Sequence, residues 1–413
     1  MPLIKPFAGL RPTPGRAPDV AAPPYDVMSA PEARRMVAGR PHSFLHISRP
    51  EVDLPEDTDP YAPQVYAKAR ENLERMLAEG VLVRDARPCY YVYRLTRGEH
   101  VQTGLVAVAS VAAYDADRIR KHELTRPVKE DDRVRQIEAL AAQTGPVFLV
   151  YESTAVIDET LAALGTAAPA IDIRAQDGVR HELWVVADGA TVDRLSAAFE
   201  QLDGLYVADG HHRSAAAARI AAARKAANPN HTGDEPYNYF LSVIFPHNRM
   251  RILDYNRVVK DLHGLSADAF LNKVRVPFQV EPGPGPVRPA RHGDFGLYLD
   301  GGWYRLTLDT RRIPENDPVG RLDVSLLQDN LIGPLLGIRD PRRDDRIGFV
   351  GGSRGLDWLA DQVDAGDMAV AFSLYPTRME DLMAVADSGE VMPPKSTWFE
   401  PKLADGLVSH LLD

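Results

Sequence analysis

The chain has a single cysteine, Cys89, so no disulfide can form within it, and that usage fits a reducing compartment. Cys89 opens the apolar run Cys89-Tyr90-Tyr91-Val92-Tyr93, where a thiol reads as core packing rather than as a nucleophile. No apolar stretch reaches bilayer length. The start, Met1-Pro2-Leu3-Ile4-Lys5-Pro6-Phe7, has neither the apolar segment nor the small-residue cleavage pattern of a secretory signal, so the cytoplasm, away from membranes, is the expected compartment. A positive excess is missing too. Lys and Arg number 48 against 58 Asp and Glu, a net charge of -10, which argues against a general nucleic-acid or anionic-membrane binder because either needs a positive face. Two catalytic signatures are absent as well: the P-loop G-x-x-x-x-G-K-[ST] and a G-x-G-x-x-G following a strand.

The 413 residues exceed one ordinary core, so two domains are expected. The run Pro282-Gly283-Pro284-Gly285-Pro286 is the candidate boundary, dividing 1–281 from 287–413. Ser29-Ala30-Pro31-Glu32 reads as a helix start, and 63–79 as an amphipathic helix with Val65, Ala69, Leu73 and Met76 or Leu77 on one face. Hairpins are expected at 89–111, at 170–187 and at 296–308, and a further strand pair at 237–246 and 251–259. Helices are expected at 130–142, 191–202 and 214–227, and near 322–330, 354–363 and 378–387; the last three alternate with strands near 346–350 and 368–374. Mixed hairpins and helices point to an α+β fold with mixed sheets and a C-terminal α/β region.

The segment that carries chemistry is Leu205-Tyr206-Val207-Ala208-Asp209-Gly210-His211-His212-Arg213, a buried strand running through a glycine turn into an alanine-rich helix. The first amide N–H groups of a helix lack internal partners and sit at the positive end of its dipole, which makes an anion site. Gly210 lets a ligand approach the backbone, and Arg213 can hold a phosphate with two hydrogen bonds. Asp209 can hold a magnesium ion bridging phosphate oxygens, and His211 and His212 can donate hydrogen bonds or carry protons. An isolated Asp-Gly would be read as a helix cap; the D-G-H-H-R run in this setting exceeds a cap. A zinc site is less favoured, because adjacent histidines leave a helix in different directions and no cysteine or i, i+4 histidine completes a set.

The charged stretch from Lys121 to Arg133 is either a solvated loop or a second part of the site, in which His122 and Glu123 supply a base, Thr125 a hydroxyl and Arg126 an anion clamp. In Pro394-Lys395-Ser396-Thr397-Trp398-Phe399, Lys395 could hold a phosphate or carboxylate, or the loop could simply pack its aromatics. Tyr25 and Asp26 after Pro23-Pro24 divide evenly between a pocket and a turn. Asn248 reads as a turn residue, and Arg257 as structural.

Nearly the whole chain resembles a widespread bacterial family known only as a domain of unknown function. The strings that carry the resemblance include Pro23 to Val27, Lys121-His122-Glu123 with Thr125-Arg126-Pro127, Gln143 to Val147, Ala208 to Arg213, Phe245 to Asn248 and Met392 to Phe399. The D-G-H-H-R loop is also similar to that of the ParB/sulfiredoxin superfamily, nearest its free-serine kinases, which implies a ParB/sulfiredoxin-like phosphate-binding core over about 85–260 in the first part, with large insertions. That likeness implies an aspartate supporting the metal (Asp209), a loop binding phosphates (His211 to Arg213) and an upstream glutamate acting as base, for which Glu123 is the candidate. The expected activity is therefore a small-molecule kinase acting on free L-serine or a similar hydroxy compound, with Mg2+ and ATP, ADP or pyrophosphate as donor. A phosphohydrolase on the same loop and a noncatalytic nucleotide sensor are the alternatives; homodimerisation is left open.

Overall fold

A computed structural model describes all residues, 1–413. The chain is α+β and divides into two compact units, residues 1–250 joined by 401–413, and residues 251–400. The boundary thus falls at 250/251 and 400/401, away from the expected proline–glycine run. That run lies inside the second unit, where the strand Phe278–Pro282 pairs with Gly302–Leu308 and the Gly283 amide extends the ladder to the Trp303 carbonyl at 2.7 Å. No helix is long and apolar enough to cross a membrane.

The first unit is built on a nine-stranded mixed sheet. Its centre is the hairpin Tyr90–Arg97 and His100–Ser110, in which apolar residues face a core containing Tyr90, Val92, Leu105, Ala107 and Phe240. The strand Tyr239–Pro246 pairs antiparallel with His100–Ser110 and parallel with Val147–Tyr151. The latter runs antiparallel to Leu205–Asp209, which in turn lies parallel to Ile119–Arg120. All eight residues of Tyr239–Pro246 are buried, as expected of a central strand covered on both faces. The expected pairing of this strand with 251–259 does not form. The 3-10 turn His247–Arg249 ends the first sheet, and Tyr255–Val259 joins a different sheet in the second unit.

A second apolar cluster in the first unit packs the amphipathic helix Pro63–Ala78, through Ala69, Leu73 and Met76, against Leu10, Phe44 and Leu140. Leu77 turns outward at 40% exposure, so Met76 is the residue on the buried face. The helix Ala30–Val37 starts with the expected capping box, Ser29 accepting from the Glu32 amide while the Glu32 carboxylate accepts from that of Ser29. The helix expected from 130 begins three residues earlier, at Pro127, because proline suits the first turn of a helix. The 401–413 segment is woven into this unit: Asp405 bridges Ala22, Ser409 bridges Leu10, and His410–Leu411 pairs with Ala142–Gln143.

The second unit has a six-stranded antiparallel sheet in the order 278–282, 302–308, 294–299, 370–374, 255–259, 347–351. Its hairpin turns at Asp300-Gly301, both at positive φ, which suits the twist of the flanking strands. The helix expected near 322–330 is Asp323–Leu327, continued by a π turn, Gln328–Ile332, into Gly333–Leu336. Helices Leu356–Asp364 and Met379–Asp387 complete the unit.

Candidate functional site

Parallel pairing of two short strands assembles the site. Ile119 and Arg120 lie beside Leu205 and Tyr206, so the chain leaves both strands in the same direction and sets Lys121-His122-Glu123 next to Asp209-Gly210-His211. A register shift between Val207 and Asp209 brings Asp209 opposite Phe148 as the strand ends. Gly210 then adopts φ +101°, a conformation open to glycine at little cost, and the helix starts at His211 rather than at the expected Ser214. No side chain caps this helix, and with the Arg213 amide bonded to the Gly210 carbonyl at 2.9 Å, the His211 and His212 amides lie at the strand end with the positive pole of the dipole.

Asp209 keeps 36% of its side chain exposed, at the rim of the site. Lys402 Nζ lies 3.3 Å from its Oδ2, and Arg213 Nη2 lies 3.6 Å from its Oδ1. Burial opposes ionisation, but the Lys402 and Arg213 charges outweigh it and hold the carboxyl well below its ordinary range. A magnesium ion prefers oxygen ligands, commonly one or two carboxylates plus substrate phosphates. Asp209 can supply one such oxygen, provided the phosphates draw Lys402 away.

His122 and His211 are buried at 3% and 4% exposure, and their Nε2 atoms face each other at 3.4 Å. The rings are nearly perpendicular, at 88°. Burial pushes His122 down to about 4, against the pull of Asp209, and pushes His211 well below its usual value, so both are neutral at pH 7. Glu123 is exposed, and its carboxylate completes a cluster in which the ligand atoms of all three residues lie within 4.8 Å of one another.

The remaining expected residues hold the loops. The His212 Nε2 accepts the Arg126 amide at 3.0 Å, tying the two loops together. Thr125 donates to Glu130 Oε2 at 2.8 Å, and Glu130 also pairs with Arg219. Arg126 is the exposed N-cap residue of the helix Pro127–Leu140. Arg213 turns inward, with its side chain 11% exposed and its Nη1 donating to the Pro146 carbonyl, so it braces the turn from behind. Lys395 belongs to the second unit, where its carbonyl accepts from Arg257 Nη2 at 3.0 Å. The cluster described above is drawn from the first unit alone.

Two residues of the site escaped sequence reading, Lys402 and Asp405. Both come from the C-terminal segment, where nothing in Pro401-Lys402-Leu403-Ala404-Asp405-Gly406 distinguishes a site from a turn. Asp405 lines a small cavity of about 30 Å³ behind the loop, with Tyr25, Arg133, Thr144, Gly145 and Arg213. Burial pushes its carboxyl up to about 7, with Arg213 opposing and Asp26 adding to the rise. Arg133 stacks on the Tyr25 ring at 4.0 Å and pairs with Asp132 at 2.6 Å.

Fold and site together define an α+β protein with an uncapped strand–glycine–helix loop beside a histidine–carboxylate cluster. The chain belongs to DUF1015, a family described as proteins of unknown function, whose model matches residues 4–325. No curated protein sequence matches it. Among solved structures it is similar to a free serine kinase in complex with AMP (11% identity, 71% of this chain and 86% of that one, TM-score 0.32). It is also similar to SbnI with a C-terminal truncation from Staphylococcus aureus (12%, 72% and 84%, TM-score 0.38). A third likeness is to a conserved hypothetical protein from Pyrococcus furiosus (13%, 74% and 95%, TM-score 0.34). Likeness this distant leaves the activity to be read from the residues themselves.

Proposed function

We propose that the protein is a small-molecule kinase that phosphorylates the hydroxyl of free L-serine or a similar compound, taking the phosphoryl group from ATP, ADP or pyrophosphate with Mg2+. The observation that carries this reading is the uncapped helix start after Gly210, flanked by the Asp209–Lys402 pair. Phosphoryl transfer needs mainly positioning and charge neutralisation. The His211 and His212 amides and the Lys402 ammonium supply fixed positive charge for the donor's oxygens. Asp209 carries the negative charge that holds the metal.

The acceptor class rests on the likeness of Asp209-Gly210-His211-His212-Arg213 to the loop of the free-serine kinases. In the reaction the acceptor oxygen forms a bond to phosphorus, the bond from phosphorus to the donor's bridging oxygen breaks, and the departing phosphate or nucleotide keeps that electron pair. The hydroxyl proton goes to Glu123, the exposed member of the neighbouring cluster, with His122 behind it.

Asp209→Asn tests the reading. It preserves shape and removes the charge, so the fold should persist by circular dichroism while transfer falls nearly to background. Wild-type turnover in that variant would refute the assignment.

A further inference from the structure

His122 is buried; its ring interacts with the Val207 backbone, and its Nε2 faces the Nε2 of His211. That contact is 3.4 Å, longer than the roughly 2.9–3.0 Å usual for a hydrogen bond donated by nitrogen. The two rings pack edge-on at 4.5 Å between centroids. The spacing has another meaning. Two imidazole nitrogens at about 2.0–2.1 Å from one tetrahedral ion stand roughly 3.3–3.4 Å apart. The two Nε2 atoms already hold that separation, and the Glu123 carboxylate lies within reach of both.

We infer that His122, Glu123 and His211 form a binding site for a divalent first-row transition ion, separate from any magnesium carried with the phosphoryl donor. Two nitrogens and one carboxylate suit Zn2+, Co2+, Mn2+ or Fe2+, whereas Mg2+ seeks oxygen. Glu123 is exposed, so the remaining coordination position opens toward solvent, the arrangement of a catalytic rather than a structural site. The parallel strands Ile119–Arg120 and Leu205–Asp209 lead into His122 and His211 and place two of the three ligands without a contiguous motif, which is why the sequence, with no i, i+4 histidine pair, conceals it. The site stands on geometry and does not depend on the kinase reading.

The test is Co2+ titration of the full chain after chelator treatment, followed by visible absorption, in the absence of any phosphoryl donor. One Co2+ per chain with d–d bands, displaced by Zn2+ but not by excess Mg2+, is expected. Glu123→Gln alters an exposed residue and should fold normally, yet weaken Co2+ and change its spectrum. His122→Ala with His211→Ala should abolish binding. Asp209→Asn should bind Co2+ like the wild type while losing transfer, so failure of the metal site and failure of the kinase reading are distinguishable. No stoichiometric Co2+ in the wild type, or unchanged binding and spectrum in Glu123→Gln and in the histidine variant, overturns the inference.

Discussion

Lys402 Nζ reaches to 3.3 Å from Asp209 Oδ2 across 193 residues of sequence. This pair joins the end of the Leu205–Asp209 strand to the C-terminal segment that returns to the first unit. Under the proposed function, the ammonium paired with Asp209 is held at the mouth of the phosphate site. On phosphate binding it can exchange the carboxylate for phosphate oxygens while the carboxylate turns to a metal.

Lys402→Gln should therefore weaken binding of pyrophosphate or ADP by about 10- to 100-fold, the worth of one charge-assisted contact. Calorimetric titration measures this directly. Affinity equal to the wild type would remove Lys402 from the site.

Gly210→Ala probes the turn. At φ +101° an added Cβ is strained, and it would lie 3.0–3.2 Å from the Arg213 guanidinium, which is fastened to the Pro146 carbonyl. A cost of about 1–2 kcal/mol in urea unfolding is expected from the backbone alone, together with loss of donor binding. A variant as stable and active as the wild type would show that the turn tolerates a side chain.

Asp405 gives a pH signature. Burial raises its carboxyl from 3.8 to about 7 in the folded state. Between those values the folded chain holds a proton that the unfolded chain has released. The group's contribution is thus complete below about 4 and is lost as pH rises through 7. Asp405→Asn stays neutral, so its stability relative to the wild type should improve from pH 4 to pH 8 by roughly 2–4 kcal/mol. Buried His181 and His410, pushed down to about 4, have the opposite sign, but they are present in both proteins and cancel in the comparison. A stability difference that does not change with pH would contradict the burial assigned to Asp405.

Much of the fold was legible because it rests on local signals. A turn at Arg97–His100 before a valine-rich run marked the strands at 90–110, the capping box marked the helix at 30, and helical spacing marked 63–78. The strand–turn–helix around Gly210 was legible for the same reason. What escaped depends on long-range pairing. Which strand the 239–246 segment meets is set by burial on both faces, not by its neighbour at 252–259. The inward course of Arg213 follows from the Pro146 carbonyl, more than sixty residues earlier in the chain. Lys402 and Asp405 reach the site because the tail pairs with residues near 22 and 142, and a lysine in an unremarkable loop carries no trace of that.

Phosphoryl transfer at the Asp209–Arg213 loop is the central proposal. It is tested most directly by following phosphorus NMR of the purified protein with Mg2+ and ATP, ADP or pyrophosphate, each with and without L-serine. The account predicts donor consumption that requires the acceptor and yields phosphoserine with one of the three donors. Consumption at the same rate without serine, or none with any donor, would contradict it.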